Sequence, residues 1–175
     1  MMVHASFKAL GIKEPGLVLM ALGEVLRDAG ALLMPALSYR QQSSDVPDTN
    51  WTPTCVGFLS EYFRWRPETV RSLHPTHSVC GVGAQLSAWL GDHLEDCTPC
   101  GPHSPFYKIL HAPGKILMLG CGLAPNTARK RPQFSICPAV VDKSTPTKGK
   151  VGLRRLGPAH EGGLRPLLVQ IYLPH

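Results

Sequence analysis

The chain has 175 residues, 43% hydrophobic and 17% charged. That suits one compact domain with a core needing no disulfide or metal staples, and excludes collagen, coiled coil and a wholly disordered chain. Its net charge of +6 is uneven: residues 128–175 hold nine basic and two acidic residues, while residues 1–127 hold nine and ten. The basic balance therefore belongs to the last part of the chain, and the nearly neutral body is not read as a nucleic-acid binder. The longest uncharged apolar run, Ile116 to Pro125, is far short of the about 20 residues that cross a bilayer. The opening MMVHASFKALG lacks a basic segment followed by an apolar core, so no signal peptide is read. The expected setting is cytoplasmic, with the six cysteines as reduced thiols.

In chain order, Met1–His4 reads as a strand end. Pro15 opens a helix with Leu17, Val18, Ala21, Leu22, Val25 and Leu26 on one face, and Gly30 is its expected stop. Residues 31–37 form an apolar strand, and residues 38–54 a polar loop rich in turn residues. Val56, Leu59 and Phe63 have helical spacing, and residues 69–73 read as a strand. Ser78 is expected to cap a helix carrying Val79, Val82, Leu86 and Leu90. Ser104–Pro105 is an N-cap followed by proline at the first helical position, with Phe106, Ile109 and Leu110 following and Gly114 as terminator. Residues 115–120, KILMLG, read as a buried strand. This alternation predicts a layered α/β/α fold around a mixed central sheet. After Thr127 the periodicity is lost. The remaining segment holds six of the 17 prolines, and only its stretch 166–173 is apolar enough to pack. The division is therefore residues 1–127 as the folded unit and 128–175 as a basic, irregular tail, solvated rather than bound to nucleic acid.

Five segments carry a resemblance: VHASFKALG (3–11), LLMPALSY (32–39), DTNWTPTCVGFLSEYFRWRPETVRSLHPTHSV (48–79), DCTPCGPHSPFYKIL (96–110) and GKILMLGCGLAPNT (114–127). In this order and separation, RSLHPTHS and CGPHSP above all, they resemble the aminoglycoside 3-N-acetyltransferases. The resemblance implies acetyl transfer from acetyl-CoA to the 3-amino group of a 2-deoxystreptamine antibiotic, hence an acyltransferase linked to antibiotic resistance. It implies a cofactor-binding set of His4, Ser6, Lys8, Arg71, Ser72, His74 and Ser78, with Asp48 and Glu61 facing the polycationic substrate. Ala5 stands where the family segment has a second serine. Read without that resemblance, each of these residues is also at home in an ordinary turn, as a structural histidine or as a solvated charge.

The family's N-T-x-x-H-x-x-E motif stops after Asn126–Thr127. Lys130 stands at the position of the histidine base, and Gln133 at that of the glutamate. Lysine is ordinarily protonated at neutral pH, and glutamine carries no charge to stabilise an imidazolium. The catalytic residues are accordingly left unassigned. The family's N-terminal helix and later C-terminal part are not recognised, so the chain reads as truncated at both ends, with a frame change as one explanation. The alternative function is a non-catalytic acyl-CoA-binding remnant. No metal is expected: H-x3-C-x2-C-x2-H at His93, Cys97, Cys100 and His103 is too cramped for a zinc knuckle. The Gly120–Gly122 pair lacks the rest of a dinucleotide fingerprint.

Overall fold

The computed structural model describes residues 1–40, 48–122, 124–125 and the backbone of 169–172. The elements are β1 (Met2–Ala5), α1 (Pro15–Leu26), β2 (Ala31–Pro35), α2 (Phe58–Arg64), β3 (Val70–Arg71), β4 (Val79–Gly83), α3 (Leu86–Leu90), α4 (Pro105–His111), β5 (Ile116–Leu119) and β6 (Val169–Tyr172). Short 3-10 turns cover Phe7–Leu10 and His93–Glu95. No helix among the described residues is long and apolar enough to cross a membrane.

The six strands form one mixed sheet in the order β3-β4-β2-β1-β5-β6. β1 runs parallel to β2 and to β5; β4 is antiparallel to β2 and β3, and β6 to β5. Strand residues alternate between two cores, as period-two geometry requires. Met2, Leu33, Val79, Ile116 and Met118 pack with Leu90, Phe106 and Ile109 of α3 and α4. Val3, Leu32, Met34, Cys80, Leu117 and Leu119 pack with Val18, Leu22, Leu59 and Phe63 of α1 and α2. The expected α/β/α layering is thus present.

Four local expectations need correction. Val79–Gly83 is a strand rather than the start of a helix. Gly81 and Gly83 weaken a helix there, while β4 completes a ladder with β2. A Cβ on Gly81 would lie 2.8 Å from Leu33 and 2.9 Å from Leu86, so the bare backbone lets those leucines close over the strand. Second, the buried face of α1 is Pro15, Val18, Leu19 and Leu22; Leu17 and Val25 face out. Third, α1 stops at Leu26, where Arg27 turns left-handed (φ 53°), and α4 stops at His111, each ahead of its expected glycine. Fourth, residues 169–172 of the expected tail form a strand on β5, inside the apolar stretch 166–173. Ser104 caps α4 as expected, accepting from the Phe106 N–H at 3.0 Å.

Candidate functional site

Because β1, β2, β3 and β5 point the same way, their carboxyl ends share one edge of the sheet with the amino end of β4. The chain steps from β1 to β2 on one side and returns to β5 on the other. In open α/β sheets the crevice outside such carboxyl ends, where strand order reverses, is the usual ligand site. The residues singled out from the sequence gather along this edge or on the loops that leave it.

β1 delivers His4 and Ser6. His4 is buried at 5% exposure opposite Met118, and its carbonyl accepts from the Cys121 thiol at 3.4 Å. Ser6 opens the 3-10 turn that carries exposed Lys8, and its N–H donates to Leu119 O at 2.9 Å. Gly120, after β5, takes φ +66°; a Cβ there would stand 2.7 Å from Leu10 and 3.0 Å from Ser6 O. Glycine is thus what lets the β1 and β5 exits lie against each other.

Arg71 is a clamp. Its guanidinium donates to Ala36 O (2.8 Å), Thr49 O (3.2 Å), Thr52 O (2.5 Å) and Ser78 Oγ (2.8 Å). Ser78, fully buried, donates its own hydroxyl proton to Ala36 O at 2.8 Å. These polar atoms tie the 49–52 turn to the ends of β2 and β4. Burial lowers the Arg71 pKa from its ordinary value, but four acceptors and arginine's high intrinsic basicity hold the charge.

Asp48 sits at the start of that turn, exposed, with Oδ1 accepting the Asn50 N–H at 2.7 Å. Glu61 of α2 is a hub. It accepts from Arg64 Nη2 (2.5 Å) and Nε (3.1 Å), Thr54 N (2.8 Å) and Trp65 Nε1 (2.9 Å). Burial pushes its carboxyl up, but the hydrogen bonds from Arg64, Thr54 and Trp65 outweigh that and hold it below the ordinary value. Both oxygens are engaged within the fold, whereas Asp48 faces solvent.

Three histidines lie behind the edge. Ser72 Oγ is 2.8 Å from His93 Nδ1 and also accepts the Val79 N–H at 2.9 Å. His74 Nδ1 accepts two backbone N–H groups, from Thr76 at 3.2 Å and His77 at 3.0 Å, so that nitrogen is unprotonated. The rings of His74 and His93 lie 4.8 Å apart, and His77 stands edge-on to His74 at 6.1 Å. Burial lowers the pKa of His74, with Asp96 and a backbone hydrogen bond to Thr98 offsetting part of the shift. Burial above all, with the nearby Lys108 charge adding to it, drives His93 down to about 3. Both rings are therefore neutral at pH 7.

The structure separates the sequence-chosen residues into two kinds. Ser6, Lys8 and Asp48 present groups at the surface of the edge; Arg71, Ser72, His74, Ser78 and Glu61 hold its loops in place. Lys130 and Gln133 lie outside the described residues. Of the suggested zinc ligands, His93 Nδ1 is on Ser72 and His103 Nδ1 on Asp92 at 3.0 Å. Among the described residues no group of three His, Cys, Asp or Glu side chains is placed to hold a metal ion. The sequence reading passed over Tyr39 and Cys55. Tyr39 lies 6.0 Å from His77, and the Cys55 thiol beside it, with burial, raises its phenol pKa. Their positions after β2 and before α2 carry no pattern that pairs them.

The family model described as aminoglycoside 3-N-acetyltransferase matches residues 2–129. Aminoglycoside N(3)-acetyltransferase IV from Salmonella sp is 32% identical over 130 residues, which cover 73% of this chain and 49% of that protein. Among solved structures, a mutant of aminoglycoside acetyltransferase AAC(3)-IVa in complex with a gentamicin superposes with a TM-score of 0.67 at 26% identity. It covers 99% of this chain and 62% of the other. AAC-IIIb, binary with CoASH, gives 0.60 at 30% identity over 70% of this chain and 53% of its own. The chain spans about half the length of the curated relatives it matches.

Proposed function

The chain belongs to the aminoglycoside 3-N-acetyltransferase family, and we propose that it moves the acetyl group of acetyl-CoA to the 3-amino group of a 2-deoxystreptamine aminoglycoside. The observation that carries this reading is the family match over residues 2–129, the part that builds the whole carboxyl edge. The donor set there suits a phosphate-bearing thioester: the Ser6 hydroxyl and the exposed Lys8 ammonium at a turn, with His4 beneath them. These three residues would hold acetyl-CoA, which when bound supplies an acyl carbon activated toward amines. Asp48 offers a carboxylate to a cationic sugar. The charge of Glu61 is matched by Arg64, so Glu61 contributes by fixing the Thr54 turn. Arg71, Ser72, His74 and Ser78 shape the wall between the two sides. In this reading residues 1–127 are the acetyltransferase unit and 128–175 an appended segment, the setting being cytoplasmic.

A second reading is acyl-CoA binding without turnover. Lys130 and Gln133, standing where the resemblance expects His and Glu, favour it. One experiment separates the two: purified chain, acetyl-CoA and a panel of aminoglycosides, with acetylated product followed by mass spectrometry and CoA binding by calorimetry. Product that depends on both substrates supports the transferase. CoA binding without product supports the second reading, and the absence of both binding and product defeats the two together.

A further inference from the structure

We propose that the outer face of α1 docks on the same face of a second copy of this chain, the two helices lying antiparallel about a two-fold axis between Met20 and Ala21. α1 reads PGLVLMALGEVL, and Glu24 is its one charged residue. A helix that is apolar on all sides is one that is covered on all sides. Here only one side is covered. Pro15, Val18, Leu19 and Leu22 are buried, while Leu17, Met20 and Val25 are 58%, 61% and 70% exposed.

The exposed surface continues beyond α1. Phe58, at the start of α2, is exposed and stacks on Tyr62 at 6.3 Å. A Cβ on Gly16 would meet the Tyr62 hydroxyl at 3.5 Å, so this pair borders the start of α1. Apolar surface thus runs from α2 along α1, whose 12 residues span about 18 Å. On the other layer, α3 and α4 expose no large apolar side chain. Contiguous apolar surface of this kind marks a protein contact.

The charges around it select the occupant. Lys13 and Glu14 precede α1, and Arg27 and Asp28 follow it. All four are exposed, and no ion pair among the described residues uses them. Glu14 Oε1 accepts the Gly16 N–H at 3.2 Å, and a carboxylate has further acceptor capacity. Each end of the helix therefore carries one charge of each sign. A two-fold axis between Met20 and Ala21 sets Lys13 opposite the partner's Asp28 and Glu14 opposite the partner's Arg27. Both contacts match in sign, and symmetry makes each of them twice. Leu17 comes against the aliphatic stem of the partner's Glu24, and Met20 against the partner's Ala21. A parallel pairing would set each charge against its like.

The test is sedimentation of the full chain across a dilution series, with circular dichroism to check that each variant is folded. Wild type is expected to form a dimer that dissociates on dilution. Met20→Glu, at a position exposed in the single chain, is expected to raise the dimer Kd at least about tenfold. Asp28→Lys is expected to raise it about two- to tenfold, the pair occurring twice. Adding Lys13→Glu to Asp28→Lys restores opposite signs and is expected to bring the Kd back. A chain that stays monomeric up to its highest soluble concentration overturns the proposal. So does an assembly that Met20→Glu leaves intact. A dimer that Met20→Glu disrupts but that neither charge variant shifts overturns the antiparallel arrangement, and with it the proposal.

Discussion

His93 and His103 stand ten residues apart in the chain and respond to acid in opposite ways. His93 belongs to the buried layer beneath the carboxyl edge, where its partners are a hydroxyl and another ring. His103 sits on the outside between α3 and α4, 3.0 Å from Asp92 and 3.6 Å from Glu95, while Lys108 also pairs with Asp92. Desolvation holds His93 neutral; Asp92 above all, and then Glu95 and Asp96, raise the pKa of His103. In the first region an unmet hydrogen bond is costly because no water replaces it; in the second, water stands ready. The same residue type is thus a structural wedge in one place and a solvent-screened partner of carboxylates in the other.

The sharpest way to break this contrast is Arg71→Met. It leaves the carbonyls of Thr49 and Thr52 without their donor and takes one of two donors from Ala36 O, and is expected to cost about 2–6 kcal/mol in denaturant unfolding, at about 1–3 kcal/mol for each acceptor left unpaired. An Arg71→Lys chain, keeping the charge but not the fork, is expected to fall between wild type and Arg71→Met.

Next comes Ser72→Ala, which leaves the Val79 N–H and His93 Nδ1 without their shared oxygen. The expected loss is about 1–3 kcal/mol, and Ser72→Thr, with its hydroxyl retained, is expected to recover part of it. Ser104→Ala, which removes the α4 cap, should cost about 1 kcal/mol by the same measurement.

The remaining effects depend on pH. Since the His93 pKa is depressed from 6.5 to about 3, the unfolded chain binds the extra proton first. Stability should therefore fall as pH drops from about 6.5 toward about 3, and His93→Gln should flatten that slope. His103 runs the other way. Its raised pKa contributes stability that is fully present below the ordinary histidine value and is lost as pH rises through the folded value. Asp92 is held down to about 2, chiefly by Lys108 and His103. Its share is present above the ordinary carboxylate value of 3.8 and lost as pH falls toward about 2. Melting temperatures across pH for His103→Asn and Asp92→Asn check both, and about 0.5 M salt should erase most of what they show. A salt-insensitive His103 effect would mean that the outer cluster is less exposed than its geometry indicates.

How far such contrasts can be foreseen from sequence depends on whether the signal is local. The Ser104–Pro105 cap, the α1 start at Pro15 and the KILML strand are readable because each rests on neighbours a few residues away. β4 is misread because Val79, Val82, Leu86 and Leu90 satisfy helical spacing; only the β2 edge, far earlier in the chain, makes a strand of it. At the site, motifs locate Arg71, Ser72, His74 and Ser78 without showing that they serve as internal ties. That follows from acceptors on Ala36, Thr49 and Thr52, which no spacing rule joins to RSLHPTHS. The His77–Tyr39 proximity is equally hidden, since it arises from the β2–β4 register.

β1 lies inside the sheet, yet its two flanks are made at very different times. Ala31–Pro35 leaves the ribosome soon after it; Ile116–Leu119 follows some eighty residues later. At about 5–20 residues per second that gap lasts roughly 4–16 seconds. Throughout it, one long side of Met2–Ala5 carries an open row of backbone donors and acceptors between two apolar faces, the kind of edge that recruits other chains. The nascent chain is therefore at its most adhesive before β5 emerges, and its yield in a cell should track how well holding chaperones cover that interval rather than how stable the finished sheet is.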